Sequence, residues 1–269
     1  MTDHDLLAHL VASRLAGRVA TRSSNSLRNA ARLVEGDPDC TMGLDDWRDA
    51  DLAEVLAAVH AAGGRELDPE AAEHPDGGYI EPEVTLDGIR RHRGALADFV
   101  AAGGGRVVVA TGHPVLLGHY VALVAALASA GCRMLRPLEG VEDVLTTPEG
   151  RPCSVGYVDG VAVLAYDGHE HHTHRSLYME AMLDAAGGRD GVDLVIADHG
   201  FAGAAVEAGI ETLSIADIND PALPLAQARG RTAGVLLIDD GLDPSVFVPV
   251  TEAVLAGVRH SGANVERST

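Results

Sequence analysis

The sequence predicts an α/β fold: a doubly wound, mostly parallel, Rossmann-like sheet with an N-terminal helical extension. Three observations predict it. From Arg106 onward, short apolar runs alternate with amphipathic stretches of helical length. The apolar runs are nearly continuous, so the strands must be covered on both faces. Several of them end in polar residues, where a parallel strand hands over to its next helix.

Residues 1–100 are polar, Ala-rich and helical in period, as in LLAHLVASRLAGRVA and DLAEVLAAVHAAGG. The turn-prone stretches EGDPDCTMG and HPDGGYIEPE interrupt them. This segment is expected to pack on the main sheet or cap it. Residues 101–269 are expected to form the α/β domain that carries the site. There RVVVATG reads as a strand, HPVLLGHYVALVAALASAG as a helix and CRMLRP as the next strand. In CSVGYVDGVAVLAYD, Asp159-Gly160 between β-formers is a hairpin signal. A helix from about His172 to Ala186 follows, then strand VDLVIAD and helix GFAGAAVEAGI. Strand ETLSIAD, helix PALPLAQARG and strand GVLLIDD come next, and a last helix covers Ser245 to Val258.

Composition narrows the class. The chain has 269 residues, 46% of them hydrophobic, enough to bury a sizeable core. No apolar run has the length of a membrane span, and the acidic N-terminus does not read as a signal peptide. Cys40, Cys132 and Cys153 form no CxxC pair or disulfide framework, so a reducing, cytoplasmic setting is expected. A net charge of −20 argues against nucleic acid or an anionic membrane as the main partner. The expected partner is a small molecule, and a homodimer stays open. There is no lysine anywhere, which removes Schiff-base chemistry, pyridoxal phosphate anchoring and the P-loop lysine together. No GxGxxG follows a strand, and no GxSxG elbow occurs.

In open α/β sheets, ligands bind beyond the carboxyl ends of the strands. The endings VVVATGHP, VIADHG, SIADIND and LLIDDG, with the AYDGHEHHTHRS that leaves the hairpin, should meet at one edge. At Thr111-Gly112-His113-Pro114, glycine permits close approach and helix-start amides could hold an oxyanion; a tight strand–helix turn would use the same residues. His169, His171, His172 and His174 offer imidazoles suited to Zn, Fe, Ni or Mn. One or two are expected in the site, His174 foremost because it falls in the first turn of the expected helix. Asp198, followed by His199, suits a cation ligand or a water-orienting base, or a helix cap. Asp217, Asn219 and Asp220 add oxygen donors that favour Mg²⁺ or Mn²⁺, although Asp220 before Pro221 is also an ordinary helix start. Asp239 and Asp240 pose the same choice. Carboxylates gathered this closely repel unless a cation or a proton intervenes.

The strings GYIEPEVTLDGIRRHR, VVVATGHPVLLGHY, GYVDGVAVL, HTH, ADHGFAGAAVEAGI and ADINDPALPLAQARGR occur in this order. Together they resemble a family of actinobacterial proteins labelled phosphatase, over about residues 78–250. The resemblance implies metal-assisted hydrolysis of a small phosphorylated metabolite. It implies that Gly112 and His113 amides hold the phosphoryl oxygens, and that a divalent ion, Mg or Mn, sits on Asp198, Asp217, Asn219 or Asp220. His113, His174 or His199 would protonate the leaving oxygen. The resulting assignment makes His113, His199 and Asp198 catalytic, and Thr111, Gly112, His174 and Asp240 substrate-binding. The DxDxT nucleophile of haloacid-dehalogenase phosphatases is missing, so a covalent aspartyl-phosphate is not implied. Two other classes stay open: a lyase, cyclase or isomerase acting on a small carboxylate, and a non-catalytic module that binds a phosphate or nucleotide.

Overall fold

The computed structural model describes residues 1–70, 77–143 and 145–265. Residues 74–76 of the HPDGGYIEPE turn lie outside the described residues. Helix α1 (Asp3–Ala12) opens on a capping box in which Thr2 and Asp5 bond each other's amides. Strand β1 (Gly17–Arg18), helices α2 (Ser23–Val34), α3 (Pro38–Thr41) and α4 (Leu52–Ala61), and strand β2 (Tyr79–Ile80) follow. Helix α5 (Pro82–Ala101) starts on Pro82, whose missing amide is harmless in a first turn. The chain continues through β3 (Arg106–Thr111), α6 (Leu117–Ser129), β4 (Arg133–Met134) and β5 (Leu145–Thr146). Then come β6 (Pro152–Val158), β7 (Val161–Tyr166), β8 (His169–His171), α7 (Leu177–Ala185), β9 (Leu194–Asp198) and α8 (His199–Glu207). Strand β10 (Thr212–Ala216), α9 (Ala222–Ala228), β11 (Val235–Leu237) and α10 (Val248–Val265) complete it.

The main sheet runs β11-β10-β9-β3-β7-β6-β5, with β4 also against β3 and β8 against β7. Strands β11, β10, β9, β3 and β7 are parallel, while β5, β6 and β8 pair antiparallel. The sheet is mixed and mostly parallel. Every residue of β9 and β10 is buried, as two covered faces require. Helix α10 packs on α5 and α6, and α8 on α7 and α9, giving two separate helical layers. After β3 the chain builds one side of the sheet; after α7 it returns to the other side as β9. Strands β3 and β9 therefore flank the point where the winding direction reverses, where an open sheet leaves a crevice.

The hairpin falls where Asp159-Gly160 places it, with φ of 47° and 90° at the two residues. That pair of left-handed residues matches the twist of the flanking strands. Three expected elements differ. The CRMLRP strand shrinks to Arg133–Met134, because β3 pairs with β4 only through Arg106 and Val107 and then with β7 through Ala110 and Thr111. The helix expected from His172 begins at Leu177, since β8 prolongs the hairpin and the Thr173 amide donates to Gly112 O at 2.8 Å. The last helix is preceded by a 3-10 turn over Pro244–Phe247 and starts at Val248.

Residues of the first hundred pack along the β11 edge. The Thr85 hydroxyl donates to Leu237 O at 3.0 Å, and the His92 ring bonds Gly234 O at 2.8 Å. No helix among the described residues is long and apolar enough to cross a membrane.

Candidate active site

Register brings the strand ends level. Val109 pairs with Ile196, Asp198 with Ile215, and Ala216 with Leu237. Thr111, Asp198, Asp217 and Asp239 thus stand near one edge. At the step from β9 to α8, His199 takes φ 46°, a region that disfavours residues with a Cβ. Asp198 occupies the N-cap position of α8 yet caps nothing. Its oxygens accept from the Thr111 hydroxyl (2.5 Å), the Gly112 amide (2.7 Å) and His199 Nδ1 (2.8 Å). Gly112 is required here: a Cβ would lie 2.3 Å from Thr173 O.

The bond from Thr173 to Gly112 steers the chain after β8 across the end of β3 and delivers His172 and His174. Their ring centroids lie 5.1 Å and 4.5 Å from His199, and His172 stacks on His113 at 4.5 Å. His174 Nδ1 bonds Asp39 O at 3.0 Å and stands 3.9 Å from Asp220 Oδ1; because a carbonyl only accepts, Nδ1 carries the proton and a neutral ring leaves Nε2 bare. Asp220 and Asp240 close the other side, with His199 Nε2 at 3.5 Å and 3.7 Å. His113 Nδ1 stands 3.6 Å from Asp240 Oδ1, an ion-pair distance too long for a hydrogen bond. Asp220 Oδ1, Asp240 Oδ2 and His113 Nδ1 are buried without a hydrogen-bond partner. Two overlapping sets result, His172/His174/His199 and His199/Asp220/Asp240, each with ligand atoms within 4.8 Å of one another. Either set could hold a metal ion.

The family model described as Phosphatase matches residues 1–262. The chain belongs to this Phosphatase family. It is 38% identical to Phosphatase SCO2771 of Streptomyces coelicolor over 261 residues, covering 93% of this chain and 94% of that one.

The electrostatics of this Phosphatase-family chain follow from gathering acids and imidazoles out of water. Burial opposes charge on His199, but Asp220, Asp198 and Asp240 outweigh it and carry its pKa up to about 10. Burial likewise works against His113, and Asp240 tips the balance upward. His172 is lowered to about 3 by desolvation and by His199, His174 and His113, although the residue as a whole is exposed. Burial and then repulsion from Asp240 and Asp239 raise Asp217 well above the usual carboxylate range. Asp240 goes the other way, because His113 and His199 overcome its burial.

Several expected roles look different in place. The Gly112 amide, expected to hold phosphoryl oxygens, donates to Asp198, and the His113 amide donates to Thr111 Oγ1 at 2.9 Å. Thr111 is fully buried and supports Asp198. Asp198 itself already accepts three donors. The Thr21 hydroxyl donates to Asp217, whose other oxygen takes the Ile218 amide. Asn219 binds Asn29 through its backbone carbonyl at 2.8 Å. Asp198 and Asp217 therefore stand outside the two sets, whereas His174, His199, Asp220 and Asp240 stand inside, and Asn219 Oδ1 is buried without a hydrogen-bond partner. His169 is exposed, and His171 stacks on Tyr166 at 3.4 Å, away from the cluster.

Sequence reasoning did not single out His172, Asp39, Thr21 or the Ala20 amide, which donates to Asp239 at 2.7 Å. For His172 the signal was present, since a hairpin strand followed by HTH can run straight into the site. The N-terminal partners carry no local signal at all.

Proposed function

We propose that this chain is a metal-assisted phosphatase that hydrolyses a small phosphorylated metabolite. One observation carries the reading. The unpartnered Asp240 Oδ2 and the Asp220 carboxylate, whose Oδ1 is buried without a partner, converge on His199, whose Nδ1 is fixed by Asp198 so that Nε2 turns toward them. A carboxylate behind a ligating imidazole is the usual support of a metal-binding histidine. Family membership adds the reaction class.

The donors fit a divalent ion. His199 Nε2, Asp220 and Asp240 would hold it, with His174 and His172 beside them. One nitrogen lone pair serves one ion, so the sets that share His199 are read as a single centre. Imidazoles mixed with carboxylates suit Mn²⁺, Fe²⁺ or Zn²⁺ better than an all-oxygen Mg²⁺ site. When bound, such an ion acts as a Lewis acid toward phosphoryl oxygens. Asp198 orients His199 and, through Thr111 and Gly112, ties it to the end of β3. His113, with 16% of its side chain exposed, stands between the buried acids and the opening, where it can give a proton to the leaving oxygen.

The test is phosphate release from a panel of phosphorylated metabolites by metal-stripped protein supplied with Mn²⁺, Zn²⁺, Mg²⁺ or none. Metal-dependent turnover that Asp220→Asn abolishes supports the reading. A compound that raises the melting temperature yet stays chemically unchanged replaces it with a binding module.

A further inference from the structure

Resting on the phosphatase reading, we propose that the cleft beside His172 and His174 takes a phosphomonoester whose leaving group bears a second anionic group, with Arg151 as the residue that recognises it. The cleft measures about 480 Å³ and is walled by both imidazoles, which also belong to the donor cluster. That size is typical of a small-molecule site. The two shared imidazoles make this the space assigned to the leaving group of a phosphoryl group seated at the cluster.

Charge selects what the space accepts. The chain carries −20 overall, and Asp217, Asp220, Asp239 and Asp240 add buried acid groups around the centre. An anionic substrate needs local cationic help to enter such a field. Two guanidinium groups line the cleft, Arg175 and Arg151. They are held more loosely than three tightly paired arginines elsewhere. Arg90 meets Asp3 at 2.7 Å, Arg106 meets Asp193 at 2.8 Å, and Arg231 meets Asp46 at 2.7 Å. In the cleft, Arg175 stands 3.6 Å from Asp39, and Arg151 stands 3.3 Å from Asp167. One long contact leaves most of a guanidinium's five donors for an incoming carboxylate or phosphate. Glu149, on the same rim, accepts from its own amide and the Thr147 hydroxyl, and its carboxylate also feels the charges of Arg151 and Arg175.

Position divides the two. Arg175 follows His174 directly and is assigned to the phosphoryl end. Arg151 lies beside Tyr166, its guanidinium 6.0 Å from the ring centroid, and is assigned to the far end of a bound leaving group. Tyr166 and Leu164 give that end an apolar wall.

Non-hydrolysable arylphosphonates test this on the Mn²⁺-loaded protein. Calorimetry compares 4-carboxyphenylphosphonate and benzene-1,4-diphosphonate with the neutral isostere 4-carbamoylphenylphosphonate. The charged pair is expected to bind roughly tenfold tighter, the effect of one charge-assisted contact. In Arg151→Gln that ratio falls to about one, while Arg175→Gln weakens all three ligands. Gain with the diphosphonate alone names a second phosphate, and gain with the carboxylate alone names an acid. Equal affinities in the wild type, or a ratio that survives Arg151→Gln, overturn the proposal. Phosphate release from the matching aryl phosphates is scored separately. If no ester is cleaved while the affinity ratio holds, the phosphatase reading falls and recognition by Arg151 stands.

Discussion

The Asp198 carboxyl group takes the Nδ1 proton of His199 at 2.8 Å, and this single bond decides which nitrogen the ring offers to Asp220 and Asp240. Asp198→Asn replaces one acceptor oxygen by a donor that must face the Thr111 hydroxyl, the Gly112 amide or His199 itself. Affinity for Mn²⁺, measured by calorimetry, is expected to fall about 10–100-fold, as for other supports of ligating histidines. Unchanged affinity would remove Asp198 from the orienting role.

Bringing Asp220 and Asp240 together without a cation leaves buried oxygens unsatisfied. A cation that binds the folded state alone stabilises it by mass action, about 2.7 kcal/mol at a hundred times Kd. The melting temperature should therefore rise with Mn²⁺ or Zn²⁺ and return on chelation. In Asp240→Asn the rise should largely vanish; a rise of the wild-type size would show that the ion sits elsewhere.

Helix α8 lies against the Met42 loop across Gly203, where a Cβ would stand 2.0 Å from Met42 O. Backbone cannot yield as a flexible side chain can. Gly203→Ala should destabilise the fold by about 1–3 kcal/mol, the range for overpacked sites. A denaturant midpoint equal to the wild type would mean that the helix shifts freely.

His92 and His119 are fully buried, and desolvation lowers their pKa values to about 4 and about 3. Both are neutral in the folded protein and charge more readily when it unfolds. Their contribution is complete above the unfolded value of about 6.5 and is lost as pH falls toward the folded values. For His92 the loss amounts to about 3 kcal/mol by pH 4. Unfolding followed by circular dichroism from pH 7 to 4 should show a shallower decline in His92→Gln than in the wild type. Parallel curves would refute the assignment.

Local signals made much of this fold legible. Asp159-Gly160 announced the hairpin, and the runs VVVAT, LVIAD and LSIA announced strands buried on both faces. Their shared edge follows from topology, so His113, His199, Asp220 and Asp240 were within reach of the sequence. What decides the roles there is contact between distant residues. Asp198 looked like a ligand or a cap until Thr111 and Gly112, 87 and 86 positions away, were seen to bond it. His174 was expected in the site for a wrong local reason, a helical turn, when an extended connection pinned by Thr173 delivers it together with His172. The acids alone suggested a hard ion; the imidazoles brought beside them alter the donor chemistry.

The clamp between the first thirty residues and the last strand ends bears on how this protein is made. Ala20, Thr21 and Asn29 meet their partners 219, 196 and 190 positions downstream. At a synthesis rate of about 5–20 residues per second, those early residues wait roughly 10–40 s on the ribosome before Asp217 and Asp239 exist to receive them. The donor cluster is consequently among the last features to assemble. A nascent or truncated chain that stops short of Asp239 carries every histidine of the site and still cannot close it.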